Sequence, residues 1–368
     1  MVEWKKLGEV CEVLRGKRLT KSQLSETDGY PVLHGGSMPM GYYSEYNRKA
    51  NTTVVVNTGN AGCVFFYDKK FWSSDACFSL YPNEKIMDKF LYLYVYGCER
   101  ILKGKIRAGA MPTIDAKAVE DLIIPLPSLS EQERIVGILD TFTSSIENLK
   151  AQISQRRKQY EHYRDKLLDL EGKSGVEMKT LGEIVSSDCS LSYGIVQPGD
   201  DVIEGIPVVR PVDLIGQYVN KDGLKKTTKE ISDSYKRTIL KGNEVLFCVR
   251  GTTGVMSLAS QELEGCNVTR GIVPISFDDE LTKMFVYYQL MSYRLQRTIA
   301  DKTNGTALKQ INIKDLRLLP IPLPSLEEQS RIVSILDTFE ASIKNLEAQL
   351  QAREKQYEYY RNKLLTFE

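Results

Sequence analysis

Residues able to do chemistry are scarce in this chain of 368, which has two histidines and seven cysteines. His162 lies in a stretch written again near the end of the chain, where its counterpart is Tyr359, so nothing demands an imidazole there. His34 sits in "YPVLHGGSMPMGYY", a Gly- and Pro-rich segment with loop character, and could touch a ligand. No serine, cysteine or aspartate stands in an evident pairing with it, so nucleophilic catalysis is not expected. Cys11, Cys63, Cys77, Cys98, Cys189, Cys248 and Cys266 form an odd set without a C-x-x-C pair. Neither a disulfide framework nor a zinc site is indicated, and small buried thiols in a reducing cytoplasm are expected. The acid pairs Asp200–Asp201 and Asp278–Asp279 read as solvated turn residues. There is no G-x-G for a dinucleotide or S-adenosylmethionine pocket and no Pro-Pro dipeptide of an amino-group methyltransferase. G-x-x-x-x-G-K-S/T and H-E-x-x-H are missing too. A non-catalytic chain with no metal and no cofactor of its own is the expectation.

What such a chain holds must then be read from its architecture. The net charge is +1, which disfavours a simple electrostatic nucleic-acid binder. Residues 1–127 carry about +3 and 172–324 about +1, against about −1 for 128–171 and about −2 for 325–368. No apolar run approaches a membrane span, and "MVEWKKLGEV" lacks the apolar core of a signal peptide, so a cytoplasmic chain without a membrane partner is expected.

An internal repeat dominates. Residues 122–171 align without a gap to 319–368, with about 34 of the 50 positions identical. The copy extends upstream, "AMPTIDAKAVEDLIIPLP" matching "ALKQINIKDLRLLPIPLP", and "EWKKLGEV" rhymes with "EMKTLGEI". In each repeat Ser128 with Glu131, or Ser325 with Glu328, reads as a capping box directly after Pro-x-Pro. Apolar residues then follow in steps of four and three. Leu139, Phe142, Ile146, Leu149, Ile153 and Tyr160 form the first seam; Leu336, Phe339, Ile343, Leu346, Leu350 and Tyr357 form the second. About forty residues at 1.5 Å each make a rod of about 60 Å. A narrow apolar seam is unsatisfied alone, so the two rods are expected to pack on each other, antiparallel, rather than each on another chain. Arg156 and Arg353 break the seams at equivalent places, either fixing register or, as preferred, snorkelling to solvent.

The plan is therefore a first domain (1–127), a central spacer helix (128–171), a second domain (172–324) and a C-terminal spacer helix (325–368). Both domains read as mixed α/β with short strands. "TTVVVNTGNAGCVFFYD" and "NEVLFCVRGTTGVMSLAS" each spell strand, tight G-x-x-G turn, strand. An RNA-clamping KH loop joins helices instead, so that reading fails. The glycines either only turn a hairpin or present backbone N–H groups and nearby side chains to a ligand.

"PLPSLEEQSRIVSILD" with its downstream heptads, given twice around two unlike domains, resembles the specificity subunit of type I restriction–modification systems. The resemblance spans the chain and is strongest in the helices. It implies an α/β fold with two target-recognition domains separated by two long helices packed as an antiparallel coiled coil with pseudo-two-fold symmetry. Each domain would read one half of a split site in double-stranded DNA. Two methyltransferase subunits would dock on the chain, joined by restriction subunits, with S-adenosylmethionine and ATP held by those partners. Side chains suited to base edges are Lys17, Arg18, His34, Ser37, Tyr42, Asn57, Asn60 and Ser74 in the first domain. In the second they are Gln197, Arg210, Arg250, Thr252, Thr253, Arg270, Asn304, Lys309 and Gln310. The outward helix faces, with Gln132, Arg134, Gln329 and Arg331, are the expected docking surface for the partners. The competing reading is a coiled-coil scaffold with two protein-binding domains and no nucleic acid.

Overall fold

Heptad spacing becomes two continuous helices, Leu129–Leu168 (the central helix) and Leu326–Leu365 (the C-terminal helix), each of 40 residues. They belong to a computed structural model that describes residues 2–303 and 309–367. Each begins at a serine. Ser128 Oγ accepts the Glu131 N–H and Ser325 Oγ the Glu328 N–H, both at 3.3 Å. The return half of the expected capping box is not made. Glu131 and Glu328 instead bind Arg134 and Arg331 through two short N–H···O bonds each. A forked, charge-assisted pair outcompetes a neutral backbone N–H, and the acid still complements the helix N-terminus.

The chain forms two compact units, Met1–Ala151 with Glu347–Glu368, and Gln152–Leu346. Each unit therefore holds the start of one long helix and the end of the other, and in both the pairing is antiparallel. In unit 1 the Phe142 ring stacks on Tyr360 at 5.3 Å and 27°. Arg353 lies 5.6 Å above that Phe142 ring, and Lys150 meets Glu354 at 3.1 Å. Unit 2 repeats the arrangement, with Phe339 stacked on Tyr163 at 5.6 Å and 27° and Arg156 over Phe339 at 6.0 Å. The seam arginines thus do not snorkel freely. Each is half-buried with its guanidinium on an aromatic face of the facing helix, a cation–π contact of about 0.5–2 kcal/mol. Of the seam, Leu139, Leu149, Ile153, Tyr160, Leu336 and Ile343 are buried. Phe142, Ile146, Phe339, Leu346, Leu350 and Tyr357 are half-buried, since two helices alone cannot cover both flanks of a heptad stripe.

Among the described residues unit 1 has the strands β1 (Glu3–Lys6), β2 (Cys11–Arg15), β3 (Tyr30–Leu33), β4 (Pro39–Tyr43), β5 (Thr52–Val56), β6 (Val64–Tyr67), β7 (Trp72–Ser73), β8 (Cys77–Pro82) and β9 (Ile123–Leu126). An antiparallel sheet runs in the order β2-β8-β5-β6 and a smaller one in the order β4-β3-β7, in which β3 and β7 are parallel. Unit 2 has β10 (Glu177–Thr180), β11 (Ile206–Val209), β12 (Lys225–Thr227), β13 (Val245–Cys248), β14 (Met256–Leu258), β15 (Asn267–Val268), β16 (Ile272–Ile275) and β17 (Pro320–Leu323). Its sheets run β14-β13-β16 and β12-β11-β15, again with one parallel pair, β11 with β15. The rhyming starts acquire a reason here. Strands β1 and β10 pair antiparallel with β9 and β17, the Pro-rich lead-ins to the long helices. A two-stranded ribbon is all edge, which is where proline is tolerated.

Each unit buries one long-helix start in its own core. Ile135, Val136 and Leu139 join Val55, Phe78, Leu80, Phe90 and Leu91 in unit 1. Ile332, Val333 and Leu336 join Val245, Phe247, Val273, Phe285 and Tyr288 in unit 2. At about 1.5–3 kcal/mol per fully buried aliphatic side chain, these contacts outweigh any polar contact at the helix start.

Gln132 and Gln329, expected on outward faces, are buried. The Gln132 amide donates to the carbonyls of Lys85 (2.8 Å) and Pro127 (3.0 Å), and its oxygen accepts the Met87 N–H at 2.9 Å. Gln329 donates to Pro324 O at 2.9 Å, and its oxygen is buried without a protein partner. Both tie the first helical turn to the preceding backbone, so neither is a docking residue. Among the described residues no helix is long and apolar enough to cross a membrane.

Candidate nucleic-acid interface

In both units three segments converge, and the same backbone bonds hold them. The first is the end of the parallel strand, β3 or β11. The second is the segment before it, which crosses over the parallel partner: Lys17 N–H donates to Ser73 O at 2.9 Å, and Ile195 N–H to Val268 O at 2.8 Å. Gly16 and Gly194 precede those bonds. A Cβ at Gly16 would lie 2.0 Å from the Ser74 carbonyl oxygen, and one at Gly194 2.1 Å from that of Val268. Backbone rests on backbone there, and only glycine permits it.

The third segment is the G-x-x-G hairpin. Gly59, Gly62, Gly251 and Gly254 all have φ between +78° and +91°, the left-handed region the turn requires. Gly62 N–H closes the loop on Val56 O (2.8 Å) and Gly254 N–H on Cys248 O (2.9 Å). At the loop tip the first glycine of each hairpin has its backbone N–H engaged. Gly59 N–H bonds Pro112 O at 3.3 Å and Gly251 N–H bonds Lys309 O at 2.9 Å. The hairpins are thus braced by the chain that leads into each long helix.

In unit 1 this convergence encloses a cleft of about 400 Å³, lined by Arg15, Arg18, His34, Gly35, Thr58, Gly59, Asn60, Asp75, Ala76 and Met111. Arg18, His34 and Asn60 come together as the sequence reading anticipated. His34 has a partner after all: its Nδ1 lies 2.7 Å from Ser74 Oγ, so the ring is held while the residue stays exposed. Ser74 and Asn57 are buried, the first beneath His34 and the second under the hairpin, with Asn57 Oδ1 lacking a protein partner. Expected as base contacts, both are instead enclosed by the fold just past the ends of β5 and β7, and Ser74 supports His34. Lys17 and Ser37 are exposed, and the Lys17 carbonyl accepts the Trp72 indole N–H at 2.7 Å. Tyr42 is half-buried within β4, its backbone paired with Ser25. Arg15, Thr58, Asp75 and Met111 were missed; no local pattern marks them, since Arg15 reaches the cleft from the end of β2 and the others from separate loops.

In unit 2 Arg210 follows β11 as His34 follows β3. Its Nε and Nη2 donate to the Asp213 carboxylate at 3.0 and 2.8 Å. Arg250 and Gln310 are bridged through their backbones, and Arg270 N–H donates to Ile195 O at 2.7 Å. Gln197, Arg270 and Lys309 are exposed. The Thr252 hydroxyl lies 3.4 Å from Cys248 Sγ and the Thr253 hydroxyl donates to Lys309 O at 3.1 Å, so both brace the loop, with Thr252 exposed and Thr253 half-buried. Asn304 lies outside the described residues.

At the helix starts Arg134 and Arg331 are about half exposed, paired with Glu131 and Glu328. Those bonds hold both carboxyls below the usual glutamate range. Leu129 and Leu326 stand exposed on the same first turns.

The sequence profile of the type I restriction modification DNA specificity domain matches residues 1–156 and 173–353. The chain is 27% identical to the type I restriction enzyme EcoBI specificity subunit of Escherichia coli over 294 residues, spanning 62% of that protein's length. It is 28% identical to a putative type I restriction enzyme specificity subunit of Haemophilus influenzae over 392 residues, covering 100% of this chain and 96% of the relative. In fold it is similar to the S subunit of a type I restriction–modification system from M. genitalium, with a TM-score of 0.64, 18% identity, and coverage of 100% and 97% of the two chains. Two copies of one frame, hung on two copies of one helix, are what such a doubled profile match describes, and the chain belongs to the type I restriction–modification specificity family.

Proposed function

We propose that this chain is the DNA-reading subunit of a type I restriction–modification assembly and catalyses nothing itself. Unit 1 reads one half of a split, asymmetric site and unit 2 reads the other. The observation that carries this is the repeated frame with unlike side chains. Glycine crossover, parallel strand end and braced hairpin recur in both units, yet His34, Thr58 and Asp75 in one stand where Arg210, Arg250 and Arg270 stand in the other. A scaffold for one kind of partner would keep the side chains; two readers of different sequences must change them.

Two methyltransferase subunits dock on the helix starts, through Arg134 and Arg331 beside the exposed Leu129 and Leu326, and restriction subunits join them. S-adenosylmethionine and ATP belong to those partners. The near-zero net charge fits a reader whose partners supply much of the phosphate grip. The test is a map of methylated adenines in a host carrying this chain with its partner methyltransferase. A bipartite motif with a non-specific gap that disappears when the chain is deleted is expected; a continuous motif, or one indifferent to the chain, refutes the reading.

A further inference from the structure

The residue one step past the parallel strand has the same backbone setting in both units. Ser74 N–H bonds Leu33 O at 3.1 Å, and Thr269 N–H bonds Val209 O at 2.9 Å, so His34 and Arg210 emerge at one structural position. Each is then gripped by a neighbour, His34 through Nδ1 by Ser74 and Arg210 by Asp213. The Arg210 grip is specific in direction. Nε and Nη2 are taken side-on by one carboxylate, which also accepts the Arg210 backbone N–H at 2.8 Å. Neither side-chain bond uses Nη1. The end of the guanidinium, Nη1 with the second Nη2 hydrogen, remains as two parallel donors in a fixed plane, about a third exposed.

Such a pair is poorly suited to a phosphate. Asp213 cancels the arginine charge, and a phosphate contact draws its strength from uncompensated charge. Two parallel, oriented donors match the O6 and N7 acceptors of a guanine edge. Arg250 and Arg270 differ: neither has a carboxylate partner among the described residues, so their charge is uncompensated. All three belong to one corner, since Gly271 lies against Pro211 and against the Arg250 carbonyl.

We infer that Arg210 reads one guanine of the second half-site, that Asp213 is the positioning residue that holds it, and that Arg250 and Arg270 grip the backbone beside it. His34 is the matching reader in the first half. This rests on the DNA-reading function proposed above.

The experiment uses the complex of the chain with its partner methyltransferase, carrying Arg210→Ala, Arg210→Lys or Asp213→Asn, alongside Arg250→Ala and Arg270→Ala. Methylated sites are mapped, and binding is measured over salt on duplexes in which each motif position is substituted in turn. Both Arg210 variants should erase the preference for one guanine by about tenfold to a hundredfold while other positions stay discriminated. Asp213→Asn should relax that same position and no other, an effect a merely structural role would not produce. Arg250→Ala and Arg270→Ala should weaken binding evenly and lower the salt slope by about one each. His34→Ala should relax a single position of the other half. An unchanged motif in the Arg210 variants, or an even loss with a reduced salt slope, overturns the assignment. If the wild-type complex yields no bipartite motif, the broader reading has failed instead.

Discussion

At the scale of single residues, the strictest requirements fall where backbone rests directly on backbone. A methyl group at Gly16 meets the Ser74 carbonyl at 2.0 Å, and backbone cannot yield as a flexible side chain can. Gly16→Ala should therefore cost about 1–3 kcal/mol, seen as a fall in melting temperature of several degrees, whereas Gly137→Ala, with open space around it, should not. Equal melting temperatures would remove the close-approach argument. Buried glutamines give a second contrast. Gln132→Ala removes three bonds and strands the Met87 N–H, a loss of about 1–3 kcal/mol, while Gln329→Ala also discards an oxygen that has no partner and should cost less. Neither should impair methyltransferase co-purification, which charge reversal at Arg134 and Arg331 together should abolish. Intact co-purification after that reversal would clear the helix starts of a docking role.

At the scale of elements, the helix ends and sheets are held by burial, and burial leaves a signature in titration. It pushes the Cys11 thiol up to about 12, Cys77 and Cys98 up to about 11, and the Tyr92 and Tyr94 phenols up to about 12. Tyr160, Tyr287 and Tyr288 shift in the same direction for the same reason, with Tyr288 also donating to Asp337 at 2.5 Å. In each case the folded state favours the neutral form. The stabilisation is fully present below the unfolded values near 9 for thiols and 10 for phenols, and is lost as pH rises through the folded ones. Unfolding midpoints should hold steady to about pH 9 and then fall towards pH 12, with a late-titrating set of tyrosines in ultraviolet absorbance. A flat midpoint across that range would mean these side chains are more hydrated than their burial implies.

At the scale of the whole chain, the two long helices are shared by both units, each starting in one and ending in the other. Matched insertion of one helical turn into both should lengthen the non-specific gap of the methylated motif and leave both half-sites as they were. A gap of constant length would break the link between helix length and site. The restricted area of the seam also limits what holds the pair together: half of its residues are only half-buried, and the stacks of Phe142 on Tyr360 and Phe339 on Tyr163 supplement them.

By itself the sequence determined the repeat, the two helices, their seams and serine starts, the matching hairpins and the family. All of these are periodic or local, so residue type at fixed spacing is enough to express them. Tertiary structure decided where each polar side chain ended. It put Gln132 and Gln329 in the core, tied the hydroxyls of Thr252 and Thr253 to their own loop, set Arg156 and Arg353 on aromatic rings, and gave His34 its Ser74 and Arg210 its Asp213. A polar residue looks alike in sequence whether it braces a loop or faces a groove. The difference lies in which distant backbone it meets, and that is fixed only when parallel strands, crossover and hairpin close on one another.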